Sequence, residues 1–186
     1  MNNETEDIKK WRTVSSRYII KRPWLTARCD EVELPNGVRN PEFYVLEYPT
    51  WVNVIARTTD GLYVMVRQYR HGLDCVLTEP CAGVAEKGET PEQAARRELL
   101  EETGFGGGEW SLISVLSANA TSMSNLSYSF FATGVVKISE QYLDETEDVK
   151  CMLMTKGELM ALLERDELKQ SLMAAPLWKL IAQGRL

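Results

Sequence analysis

Residues 83–105 read Gly-Val-Ala-Glu-Lys-Gly-Glu-Thr-Pro-Glu-Gln-Ala-Ala-Arg-Arg-Glu-Leu-Leu-Glu-Glu-Thr-Gly-Phe, and this run writes the limits of a helix into the sequence. Thr90 can cap the N-terminus, Pro91 suits the first helical position, and Gln93 completes a capping box. Gly104 suits the left-handed residue that follows a last turn. Between these ends Ala94, Ala95, Leu99 and Leu100 supply an apolar stripe. Glu92 and Arg96 form an i,i+4 pair in the favourable orientation. On the neighbouring face stand Glu98, Glu101 and Glu102, at i, i+3 and i+4. Like charges so spaced cost a few tenths of a kcal/mol each when exposed, and more when partly buried. A divalent cation turns that cost into a gain. A solvated acidic face is the alternative for the glutamates taken alone. Arg97 is expected to point elsewhere and to hold Glu89, pinning the Gly-rich loop.

The rest of the chain narrows the choice of ion. Its 186 residues include a single histidine, His71, and four cysteines, Cys29, Cys75, Cys81 and Cys151. None of the cysteines form a CxxC pair, so their spacing fits no zinc pattern and they read as reduced core or near-surface thiols. A metal must then be held by oxygen, which selects hard cations such as Mg²⁺ or Mn²⁺. The formal net charge of −6 argues against nucleic acid or a membrane surface as partner. Residues 1–10 are polar, with no apolar core of a signal peptide, and no apolar run approaches membrane-spanning length. The expected localisation is cytoplasmic.

Strand signals dominate the first half. Residues 17–34 read as strands broken at Pro23, Pro35-Asn36-Gly37 is a turn, and residues 42–48 form a further strand. Residues 51–57 and 62–70 are β-like, joined by Thr59-Asp60-Gly61. After the glutamate helix come β-like runs at 111–116, 128–136 and 149–154. Helical spacing returns at 156–165 and 172–182, with Pro176 expected in the first turn of the last helix or as a kink. This pattern implies α/β or α+β layers. A β-rich extension over residues 1–49 and a main domain over 50–186 are the expected division.

The spacing Gly, five residues, Glu, seven residues, Arg-Glu-Leu, one residue, Glu-Glu, one residue, Gly-Phe resembles the Nudix box at every fixed position. The resemblance implies an α/β/α sandwich around a mixed sheet, here with a small N-terminal antiparallel β subdomain. It implies Mg²⁺- or Mn²⁺-dependent hydrolysis of a nucleoside diphosphate linked to another moiety, on metal ligands Glu98, Glu101 and Glu102. Outside the box the chain is similar to the ADP-ribose and nucleotide-sugar pyrophosphatase branch. Val66-Arg-Gln-Tyr-Arg70 matches the strand before the box, which implies a substrate contact for Arg70. Glu79-Pro-Cys-Ala-Gly83 matches a Glu-x-x-Ala-Gly segment, which implies a metal-ligating carbonyl at Ala82 and makes Glu79 a substrate-binding or structural candidate. The acidic loop Asp144-Glu-Thr-Glu-Asp148 implies Glu145 as general base and Glu147 as a further ligand.

One departure stands out. The branch carries a proline some fifteen residues beyond the box, whereas Ser117-Ala-Asn-Ala-Thr-Ser-Met-Ser-Asn125 has none. ADP-ribose and nucleotide sugars both remain open as substrates. Trp11, Trp24, Tyr44 and Trp51 read as core or dimer packing, with stacking on a base bound by a partner subunit as the alternative. A homodimer is what the resemblance implies. The rival from another class is a non-catalytic Nudix-fold sensor of a nucleotide or sugar nucleotide.

Overall fold

A computed structural model describes residues 8–186; the first seven residues of the polar N-terminal stretch lie outside the described residues. The chain forms two compact units, one running to Tyr48 and including Asn119–Ser124, the other Pro49–Ala118 with Asn125–Leu186. The mixed α+β class is as the sequence implies.

The first unit is a three-stranded antiparallel sheet of β1 (Arg12–Arg22), β2 (Leu25–Glu33) and β3 (Arg39–Glu47), in that order. The turns at Pro23 and at Pro35–Gly37 fall where the sequence puts them. Strand β1 is longer than its apolar centre suggests, because its polar ends pair with β2 as far as Arg12 opposite Glu33. Segment 119–124 closes on β3, where Leu46 N–H donates to Ser122 O at 2.7 Å and Ser124 N–H to Leu46 O at 3.0 Å. Trp11 packs edge-on against Phe43. Trp24 and Tyr44 are exposed, so core packing does not account for them.

The second unit is built on a mixed eight-stranded sheet. Its spine runs β11 (Val149–Met154), β5 (Tyr63–Arg70), β4 (Trp51–Thr58), β10 (Ser127–Lys137) and β8 (Phe105–Gly106), with β4 and β10 parallel. Strands β6 (Cys75–Glu79), β7 (Cys81–Val84) and β9 (Glu109–Leu116) pair with β5, β4 and β10. Alternation along the strands supplies both faces. Val52, Val54 and Ala56 turn to Ala94, Ala95 and Leu99 of helix α1 (Pro91–Thr103). Ile55, Tyr63 and Met65 turn to Leu159, Leu163 and Leu177 of α2 (Lys156–Glu164) and α3 (Ser171–Ala182). Leu100 departs from the expected apolar stripe and stays exposed. Among the described residues no helix is long and apolar enough to cross a membrane.

Pro176 lies inside α3 and beyond its first turn, so of the two expected placements the first-turn one is not adopted. A proline there leaves the carbonyl four residues earlier without its helical donor. That carbonyl belongs to Leu172, and the Asn53 side-chain amide donates to it at 3.2 Å. The buried Asn53, which also reaches Ser127 Oγ at 3.3 Å, therefore ties β4 to α3. Asn53→Leu is expected to lower the unfolding free energy by about 1–3 kcal/mol, the cost of stranding a buried carbonyl. In a Pro176→Ala background, where a new N–H can serve Leu172, the loss should shrink. Urea titration of the double-mutant cycle measures this, and independent effects would refute the link.

Candidate active site

Helix α1 begins and ends where its sequence dictates. Thr90 and Gln93 exchange both capping-box hydrogen bonds, and Gly104, at φ 71°, closes the last turn by donating to the Leu100 carbonyl. The Glu92–Arg96 pair forms, with Arg96 Nη2 at 2.7 Å from Glu92 Oε1. The helix lies against β7, so two of its glutamates meet strand backbone. Glu98 Oε1 accepts from Val84 N–H at 3.2 Å, and Glu102 Oε2 accepts from Ala82 N–H at 3.3 Å. Gly83 lies between those two amides, where a Cβ would overlap the Glu98 carboxylate and displace it.

Both carboxyls are buried, and burial is the main cause that raises them above the usual range. Glu102 is pushed up to about 7, with the neighbouring Glu98 and then Glu147 adding to the rise. The Cys81 thiol and the Ala82 amide oppose it by hydrogen bonding to the carboxylate. Cys81 is fully buried, and burial first, then Glu102, drives its own thiol well up. The sequence showed Cys81 only as a reduced thiol; nothing short of the β7–α1 contact reveals it as the neighbour of Glu102.

Arg97 holds Glu89 as expected, with Nε and Nη2 on the two carboxylate oxygens at 2.9 and 3.0 Å. It does not point elsewhere, however. Its Nη1 lies 3.1 Å from Glu98 Oε1 and 2.9 Å from Glu101 Oε2, and Nη2 donates to Val84 O at 3.0 Å. Part of the glutamate repulsion is thus neutralised by the protein itself. Glu101 turns toward Arg97, and among the described residues no three His, Cys, Asp or Glu side chains are gathered as a ready ligand set. The donors that do meet here, Glu98 and Glu102 one turn apart with the Ala82 carbonyl on the facing strand, are all oxygen, which fits a hard divalent cation.

Arg70, at the end of β5, puts Nε and Nη2 at 2.8 and 2.7 Å from Glu79 Oε2. Glu79 is completely buried on β6, and its Oε1 has no hydrogen-bond partner. The glutamates of the acidic loop are both exposed. Glu147 accepts from Asp144 N–H at 2.9 Å and its charge reaches Glu102, while Glu145 is exposed at the turn. Gln141 joins loop to helix by donating to Glu102 O at 2.5 Å and Val149 O at 3.2 Å, a positioning role with no signal in the sequence.

The NUDIX domain model matches residues 48–175. The chain belongs to the Nudix hydrolase family. A model described as the nucleoside diphosphate sugar hydrolase N-terminal domain matches residues 11–46 of this Nudix enzyme. It is 32% identical to an ADP-ribose pyrophosphatase of Bacillus subtilis (strain 168), over 84% of each chain. It is 33% identical to a methanol dehydrogenase activator of Bacillus methanolicus, over 86% of each chain. A crystal structure of an ADP compounds hydrolase superposes with a TM-score of 0.83 over 98% of this chain and 100% of the other, at 23% identity, a likeness of fold.

The raised Glu102 carboxyl has a consequence for stability. An unperturbed Glu carboxyl titrates near 4.5 and the folded one near 7, so between those values the folded Nudix domain holds a proton that the unfolded chain has lost. This contribution is fully present at acid pH and is lost as pH rises through about 7. In EDTA the thermal midpoint is expected to fall between about pH 5.5 and about pH 8, and Glu102→Gln to remove much of that slope. An identical slope in the variant would contradict the assignment.

Proposed function

We propose that this Nudix hydrolase cleaves the pyrophosphate linkage of a nucleoside diphosphate joined to a second moiety, ADP-ribose or a nucleotide sugar. Water adds across the P–O–P bridge, and the products are a nucleoside monophosphate and a sugar phosphate. The observation that carries the reading is the pair of buried glutamates, Glu98 and Glu102, fastened to the β7 backbone inside a complete Nudix box. The names of the pyrophosphatase and sugar-hydrolase relatives support the substrate class.

Glu98 and Glu102, with Glu101, the Ala82 carbonyl and Glu147, would hold Mg²⁺ or Mn²⁺. Bound there, such ions neutralise the diphosphate and lower the pKa of water. Glu145 takes the proton of the attacking water, which its exposed place on the loop leaves it free to approach. Arg70 faces developing phosphate charge while Glu79 holds its guanidinium in place. The charge of Glu147 already acts on Glu102, which supports a ligand role for Glu147. We assign residues 1–49 as a dimerisation extension, supported by the exposed Tyr18, Ile20 and Tyr44 on its sheet and Trp24 in the turn between β1 and β2, and a cytoplasmic location to the enzyme.

Glu98→Gln and Glu102→Gln should each lower kcat by about a hundredfold or more with Mg²⁺ while leaving the circular dichroism spectrum intact. Release of nucleoside monophosphate from ADP-ribose, ADP-glucose, GDP-mannose, UDP-glucose and NADH measures the rate and ranks the substrates. Near wild-type turnover in both variants would sink the metal assignment. Glu145→Gln should lower kcat with little change in the Mg²⁺ half-saturation, whereas Glu147→Gln should raise that half-saturation.

A further inference from the structure

A later stretch of the chain finishes the last turn of α1. An α-helix leaves its final carbonyls without donors of its own. Here Leu100 O is met by Gly104 N–H. Tyr142 N–H donates to Glu101 O at 2.9 Å, Gln141 Nε2 to Glu102 O at 2.5 Å, and Lys137 Nζ to Thr103 O at 2.9 Å. Ile138 N–H and Ser139 N–H donate to Gly104 O at 2.9 and 3.2 Å. Residues 137–142 thus cap the helix that carries Glu98 and Glu102. Their approach is so close that a Cβ on Gly104 would overlap Ser139 O.

The same stretch leads into the acidic loop. The Gln141 amide also donates to Val149 O at 3.2 Å, where β11 begins. A primary amide carries two N–H donors, and here one carbonyl lies on the helix and the other at the far end of the loop. One side chain therefore ties both ends of the segment 142–148 to Glu102. Leu143 packs against the core that includes Leu99. Asp144 and Glu147 close a turn, Glu147 N–H donating to Asp144 O at 2.9 Å. Asp144, Glu145, Glu147 and Asp148 crowd like charges together, and among the described residues no ion pair holds any of them. Their repulsion spreads the loop, and the anchors at its base oppose that.

Capping Glu102 O needs one donor. The second bond, to Val149 O, adds nothing to the helix and closes the loop. We propose that Gln141 is a positioning residue of the hydrolytic reaction, fixing the acidic loop, and Glu145 with it, against the helix that carries Glu98 and Glu102. The inference rests on the base role given to Glu145 above.

Amide hydrogen exchange on the EDTA-treated protein, with steady-state kinetics at saturating Mg²⁺ on the fastest substrate of the panel above, tests it. In Gln141→Leu the amides of Tyr142 and Glu147 should exchange about tenfold faster or more. In the same variant kcat should fall about tenfold or more while KM stays within about twofold. In a Glu145→Gln background the change should lower kcat by less than about twofold, because a loop without its base gains nothing from being placed. Lys137→Met removes a cap but not the loop closure, so it should lower the thermal midpoint and leave kcat near that of the parent. Gln141→Ala takes the place of the leucine variant if that does not fold. Unchanged exchange, an unchanged kcat, an equal loss of kcat with and without Glu145, or a matching loss in Lys137→Met overturns the proposal. A parent that turns over no substrate defeats the hydrolase reading instead, and the exchange rates still decide whether Gln141 holds the loop.

Discussion

A single guanidinium joins the loop, the strand and the helix of the Nudix site. Arg97 reaches both oxygens of Glu89 in the loop, the Val84 carbonyl on β7, and Glu98 and Glu101 on its own helix. Were the pairs separate and exposed, each would contribute little. Here one rigid fork serves them together, and its planar donors fix direction as well as distance. Strand β7, which approaches the helix at Gly83, is held by this residue through Val84 O, and the loop that follows is held by it through Glu89 and by the capping box. The glutamates are thus placed by a network whose centre carries positive charge.

What the sequence made legible follows how local each determinant is. The ends of α1 were readable because capping and the left-handed Gly104 depend on neighbours in the chain. The short strands β6 and β7 were not, because their pairing partners lie in β5 and β4, and Pro80 and Gly83 argue against strands in isolation. The place of Pro176 stayed open between the first turn and a kink for a related reason. Its tolerance inside α3 rests on Asn53, more than a hundred residues earlier, which serves the carbonyl the proline leaves bare. At the site, the box spacing disclosed which glutamates matter. It did not disclose that Arg97 turns back onto two of them, nor that Cys81 and Gln141 address Glu102 from side chain and backbone.

The two faces of the sheet divide the chemistry as well as the core. On the α1 face the excess is of acceptors: Glu102 and the nearby Glu147, with Glu98 sharing the cation Arg97 with Glu89 and Glu101. On the α2 and α3 face, at the other end of β4, Arg57 lies against the Phe131 ring and Lys156 donates to Leu186 O. Because β4 alternates between the faces, its residues Val52 and Val54 support the first while Ile55 and Arg57 support the second. The central strand therefore sets both environments, and its pairing with β10 shifts register at Gly134, beside the second.

Burial raises Glu102 while only two groups, the Cys81 thiol and the Ala82 amide, donate to it. An ionised carboxylate has about four lone-pair sites. Its hydrogen bonds therefore orient the group without exhausting it, and the desolvation that disfavours its charge remains to be offset. A well-satisfied structural carboxylate would show the reverse, many donors and a lowered pKa, as Glu89 does under Arg97 and the Glu86 amide. The contrast between these glutamates, separated by the length of one helix, distinguishes a residue that finishes the fold from one whose remaining oxygen capacity suits a ligand from outside the chain.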